Sequence, residues 1–201
     1  MNTDTRNDHP ARRTRRARRT RRARRALLTG GALLAGAAAA GAGYVLTHAD
    51  QPIAMADFTD LPRAMRTLER LRTTPLHTRS GWDLAQVLHH SAQSIEYSLD
   101  GFPQLKPAWF RASLGRTAFA VFSARGKMSH GLEEPIPGAP AIASGQPLDA
   151  AVDHLMSALE RFERHRSALA PHFAYGALGK PEYTRAHLMH LANHWELVDA
   201  G

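Results

Sequence analysis

The chain has 201 residues, room for one ordinary domain with appendages, and no cysteine, which excludes disulfides, thiolate ligands and a cysteine nucleophile. Its formal charge of +8 sits at one end: residues 1–26 hold eleven arginines against Asp4 and Asp8, and the remainder is close to neutral. A metal site here must use imidazole, carboxylate or amide oxygen, donors that suit zinc, nickel, iron or manganese.

The Arg-rich head, residues 1–26, repels itself and has nothing to bury, so it is expected to be disordered. Residues 27–46, LLTGGALLAGAAAAGAGYVL, carry no charge. A basic stretch ahead of an apolar one is the plan of an export signal. Arg24 and Arg25, followed by Ala26, Leu27 and Leu28, resemble a twin-arginine (Tat) signal, and the Gly/Ala-rich core suits that route. The resemblance implies the Tat machinery as a partner and a periplasmic or otherwise extracytoplasmic destination. Ala54-Met55-Ala56 and the small residues at 35–43 offer cleavage sites, whereas twenty uncharged residues also match one membrane span. A cleaved signal peptide and a retained inner-membrane anchor both fit this pattern. The arginine block could instead bind phosphate as a nucleic-acid arm. The apolar segment behind it favours export, and nothing in residues 57–201 looks like a nucleic-acid module, so no nucleic-acid partner is expected.

Residues 47–57 read as a linker and 58–201 as a helical domain. A first helix is predicted over 60–73, from Leu61, Met65, Leu68 and Leu71 at helical spacing. A second runs from about Asp83 to Leu99, with Leu84, Leu88, Ala92, Ile95 and Leu99 on its core face and Asp100-Gly101-Phe102-Pro103 as a stop. A third, 107–124, opens with proline in its first turn. Residues 126–147 hold four prolines and four glycines and form a long loop. The next helix is the clearest, with Leu148, Val152, Leu155, Leu159 and Phe162 stepping by four and three. Pro171 to Pro181 is expected as a connection to the last helix, around 183–198. No run alternates with period two. The fold class is all-α: a four-helix core with an extra helix or long excursion between its halves.

The last helix carries the chemistry. His187, His190 and His194 fall within about 60° on one helical face. His190 and His194, four apart, have the spacing at which imidazoles on successive turns close on one metal ion. The second helix offers His89 and His90 for a third imidazole, and periodicity alone does not choose between them. His187 is a further ligand, a residue behind the ligands or a surface residue; the second of these is preferred. His130, on the long loop, could reach the mouth of such a site.

Three phrases, GWDLAQVLHHSAQSIEYSLDGFP, RGKMSHGLEEPIPG and HFAYGALGKPEYTRAHLMHLANHW, together resemble an uncharacterised, domain-of-unknown-function branch of the DinB/YfiT-like metalloenzyme superfamily over about residues 58–198. The resemblance implies a four-helix bundle with one metal held by three histidines, one from the second helix and two from the last. The pattern W…Q-[VM]-L-x-H falls on Trp82, Gln86, Val87, Leu88 and His90, which makes His90, rather than His89, the ligand beside His190 and His194. Gln93 and Tyr97, three and seven residues later, then become pocket-lining candidates. His89 is expected at the surface. The chain departs from the pattern after His194: Trp195-Glu196-Leu197 stands where many relatives carry Arg-Gln or Arg-Gly-Gln, which removes support for any substrate contact there.

The expected function is a metal-dependent enzyme of thiol-dependent transferase or hydrolase type, acting on a small molecule, with a thiol cosubstrate in the first case. No carboxylate sits obviously beside the three histidines to serve as general base, which weakens the hydrolase version. The alternative is a non-catalytic metal- or ligand-binding helical module. A homodimer is compatible with either.

Overall fold

The computed structural model describes residues 51–74 and 76–200. The Arg-rich head, the apolar segment, the Arg24-Arg25 signal and the start of the expected linker lie outside them. Among the described residues no helix is long and apolar enough to cross a membrane. The rest of the linker lies against the domain: Ile53 is buried, and the Ala54 amide donates to the Gly126 carbonyl at 3.0 Å.

The helices are α1 (Leu61–Arg70), α2 (Leu84–Asp100), a single turn α3 (Ala108–Phe110), α4 (Arg116–Arg125), α5 (Leu148–Arg164) and α6 (Lys180–Trp195). A 3₁₀ turn, Ala56–Phe58, precedes them, and a π-helical stretch, Arg111–Gly115, joins α3 to α4. The predicted third helix is thus interrupted. Its Gly115 explains part of this, because a Cβ there would meet the Ala174 carbonyl oxygen at 1.8 Å. The widened turn lets the backbone of residues 172–176 approach.

The described residues are mostly helical but not all-α. β1 (Leu76–Thr78) pairs antiparallel with β2 (Val198–Ala200), in the register Leu76↔Ala200, His77↔Asp199, Thr78↔Val198. The Arg79 side chain pairs with Asp199 at 2.5 Å across the end of the ribbon. Three-residue strands are too short to give an alternation signal, so sequence pattern could not find them.

The helix boundaries follow from local chemistry. Asp60 caps α1 by accepting from the Arg63 amide at 2.8 Å. Asp83 caps α2 by accepting from the Gln86 amide at 2.8 Å while the Gln86 side chain accepts from the Asp83 amide at 3.1 Å. Helix α6 begins at Lys180, before the expected start, because Pro181 occupies its first turn and Glu182 accepts from the Gly179 amide at 2.8 Å. Asp83 also accepts from the Gly145 amide at 2.8 Å, tying the long loop to α2. Asp83→Ala is expected to lower unfolding free energy by about 1–2 kcal/mol in urea melts, the usual cost of losing a cap.

Helices α2 and α5 lie along each other, α6 packs on α2, and α1 meets α5 and α6. The predicted α5 seam is the centre of the core: Val152, Leu155, Leu159 and Phe162 are fully buried, facing Leu88, Ala92 and Ile95 of the α2 stripe within one cluster. Residues 126–147 pack back over this body through Met128 and Ile136, both buried. Glu133 accepts from the Gly81 amide at 2.6 Å, and the Gln86 side chain donates to the Ile142 carbonyl at 2.9 Å. The loop is therefore a fixed wall.

Candidate metal centre

Helix register sets the first ligand position. With α2 started by the Asp83/Gln86 box, His90 falls two turns in, buried, with the Trp82 ring edge-on at 5.1 Å between centroids. One turn separates His190 from His194 on α6, and their Nε2 atoms stand 3.1 Å apart. The His90 ring lies 5.0 Å from the His190 ring and 5.1 Å from that of His194. One nitrogen from each of the three lies within 4.8 Å of the others, close enough to bind a metal.

His130 arrives from the long loop. Its ring centroid is 4.9 Å from His190 and 5.3 Å from His194. Its Nδ1–H donates to the Gly131 carbonyl at 2.8 Å, which leaves a lone pair on Nε2. His130 Nε2 and His90 Nδ1 are both buried without a hydrogen-bond partner. Such unmet buried groups cost on the order of 1–3 kcal/mol each. A cation among these rings would give unpaired nitrogen lone pairs an acceptor, and the donor set, all imidazole, suits a divalent transition metal.

Electrostatics keeps the donors ready. Burial first, then the neighbouring His130 ring, pushes His90 down to about 4. Burial, with His90 and His130 adding to it, takes His194 down to about 3. His190 falls well below its ordinary value through burial and four surrounding imidazoles. His130 is lowered by burial, offset in part by Gly131 and by the Glu134 carboxylate. All four rings are neutral at pH 7, so their lone pairs are available to a metal.

A cavity of about 280 Å³ opens beside the cluster, reaching His90, His190 and His130. The loop supplies Glu134 and Ile136 to its wall, so a carboxylate does stand near the histidines, contrary to the sequence expectation. His187 also lines it but is not one of the three grouped histidines; its Nε2 stands 3.3 Å from the Ser98 hydroxyl, which itself donates to the Ile95 carbonyl at 2.5 Å. Gln93 and Tyr97, expected to line the pocket, are not among the lining residues, and Tyr97 packs against Phe102 instead. From α2 the cavity is lined by His90 and Ser94.

Sequence reasoning passed over His172. It stacks on Tyr175 at 4.2 Å and accepts at Nδ1 from the amides of Ala174 and Tyr175, at 3.1 and 3.2 Å. Those bonds place its proton on Nε2. With Phe173 and Tyr175 it forms an aromatic wall of the cavity. The available signal was His172-Phe173-Ala174-Tyr175-Gly176, an aromatic turn closed by a glycine at φ 78°, read only as a connection. His89 was expected at the surface; it is half-buried, with its Nδ1 2.8 Å from Nδ1 of His154, whose Nε2 pairs with Glu96 at 3.0 Å.

Residues 53–200 match a family model described as "Protein of unknown function (DUF1569)". No curated protein and no solved structure matches the chain.

Proposed function

The chain belongs to the DUF1569 family, and from its own residues we propose an exported, DinB-like metalloenzyme that holds one divalent ion through His90, His190 and His194. The observation that carries this reading is the convergence of three imidazoles, from helices far apart in sequence, with ligand atoms within 4.8 Å. A four-helix bundle made of α1, α2, α5 and α6 is part of the proposal, supported by the resemblance and by ligand positions on the second and last of the long helices. Export by the Tat route through Arg24 and Arg25, with release to the periplasm or retention through residues 27–46, is supported by the leader's sequence pattern.

Three imidazoles leave a position open on a four-coordinate ion, which when bound would supply Lewis acidity toward water or a cosubstrate thiol. The protein's own contribution is proton handling and enclosure. His130 Nε2, with its proton fixed on the opposite nitrogen by Gly131, accepts a proton from a molecule seated between cavity and ligands. Phe173, Tyr175 and Ile136 give that space apolar walls, and Lys106 contributes a positive charge to its lining. The volume suits a small, largely apolar substrate. Thiol-dependent transfer and hydrolysis both use these parts.

A non-catalytic metal- or ligand-binding module is the second reading, favoured by one observation. Trp195, in place of the polar stretch of many relatives, is buried with its ring edge-on to Phe58 at 5.1 Å, turned to core packing. Elemental analysis of untagged protein followed by transfer and hydrolysis assays separates the readings: metal with turnover supports the enzyme, metal without turnover the module. His130→Gln is expected to keep about one ion per chain while slowing turnover by about 10²–10⁴-fold, the usual contribution of a positioned base. Loss of the ion in that variant would make His130 a ligand instead.

A further inference from the structure

Three large apolar side chains are exposed among the described residues, and all three fall in one ten-residue stretch: Leu105 at 42 %, Trp109 at 66 % and Leu114 at 59 %. Exposed apolar residues scattered singly need no explanation, but a cluster containing tryptophan does. The backbone is built to present it. Trp109 and Leu114 are five residues apart, which in an α-helix sets them on different sides. The π-helical stretch Arg111–Gly115, which begins two residues after Trp109 and contains Leu114, has a wider turn that reduces the angle between them. Gly115 fixes that stretch, since the Ala174 carbonyl fills the space a side chain would need.

The charge around the patch is one-sided. Residues 101–132 contain Lys106, Arg111, Arg116, Arg125 and Lys127 and no carboxylate at all. Arg116 and Lys127 are matched by Glu182 and Glu196, at 2.6 and 3.0 Å. Lys106 and Arg111, which directly flank Trp109, have no carboxylate partner among the described residues; Lys106 lies over the Phe110 ring at 5.4 Å, and Arg111 donates to the Lys106 carbonyl at 2.9 Å. A tryptophan between two leucines, edged by cations that have no carboxylate partner among the described residues and sit on long apolar stems, matches the interface of an anionic bilayer: the rings and leucines enter at headgroup depth and the cations meet lipid phosphates. A protein partner for such a patch would need an acidic, apolar surface, and a second copy of this chain offers the same cations, so like charges would face each other. We propose that residues 104–116 dock this domain on an anionic lipid surface. The contact is shallow and reversible, as expected of one small patch. Lys106 also lines the cavity, so the docked face and the cavity rim share a residue. Docking through this face does not require a bound metal.

Because the chain has no cysteine, one introduced cysteine can be labelled uniquely. The full chain carrying Leu114→Cys with an environment-sensitive fluorophore is mixed with phosphatidylglycerol/phosphatidylethanolamine vesicles, some with brominated acyl chains. Asp149→Cys, an exposed acidic position beside Arg72, serves as the control. Expected are a blue shift and bromolipid quenching at position 114, none at 149, and loss of both signals in Leu114→Cys when Lys106→Glu and Arg111→Glu are added. The basic leader can bring the chain to vesicles by itself, but it cannot place position 114 among acyl chains. A label at 114 that stays in water on vesicle-bound protein would overturn the proposal. So would a blue shift that rises with protein concentration in the absence of vesicles, which would mark a contact between copies. Equal insertion into pure phosphatidylcholine would refute the anionic-lipid specificity.

Discussion

Replacing any one of His90, His190 or His194 with alanine is expected to reduce bound metal from about one ion per chain to a small fraction of that. Three neutral donors are the least that holds a catalytic-type divalent ion, and two imidazoles alone bind far more weakly. His89→Ala and His154→Ala are expected to leave the content unchanged, since their paired rings are not in the group of three. The comparison also tests register. His89 and His90 are adjacent, so a slip of one residue on α2 would reverse the outcome for that pair. Stability follows the same ligands: an ion at 100 times its dissociation constant adds about 2.7 kcal/mol. For a domain of this size that is roughly 5–10 °C in melting temperature. Chelation should remove this increment from the unsubstituted protein and change little in His90→Ala. Inductively coupled plasma measurements and thermal melts on the five variants and the unsubstituted protein give the answer, and full metal content in all three ligand variants would remove the site.

Acid is expected to destabilise the metal-free protein steeply. His172 and His187 are buried, and burial pushes both down to about 3, with His187 adding to the effect on His172. In the unfolded chain they return to about 6.5. Their folded values are lower, so as pH falls the unfolded state takes up protons first. Stability is full above about 6.5 and is lost as pH drops toward the folded values. At about 1.4 kcal/mol per unit per histidine, each removes about 2 kcal/mol by pH 5, about 4 kcal/mol for the two. His90, His190, His194 and His130 act in the same direction. With metal present the same protons compete for the ligands, so release of the ion should accompany the loss. Urea midpoints in chelator at pH 7 and pH 5 measure it; equal midpoints would contradict the burial of these rings.

Legibility in the sequence tracked the range of the interaction. The α5 seam and the α2 stripe were readable because burial on one helix face repeats locally, and Asp83 with Gln86 spells its own cap. His190 and His194 on α6 were suggested as candidate ligands by spacing, whereas the choice of His90 over His89 came from a resemblance, since both lie mid-helix and only packing separates them. The rest depended on contacts made at long range. His130 was placed by hydrogen bonds that pin a loop to α2, and the aromatic wall around His172 by a turn closed against the π-helical stretch. The ribbon of β1 with β2 joins residues more than a hundred positions apart through strands too short to show a period. Gln93 and Tyr97 follow His90 at helical spacing, yet the cavity is lined by Ser94 of the same helix, and spacing alone does not distinguish these neighbours.

X-ray absorption at the edge of the bound metal, on untagged protein at neutral pH, tests the metal centre most directly. The account predicts a first shell of nitrogen and oxygen at about 2.0–2.1 Å if the ion is zinc, with outer-shell scattering from three imidazole rings. That scattering should weaken by one ring in any ligand variant that retains trace metal. A spectrum without imidazole scattering, or protein that takes up no ion at all, would contradict it.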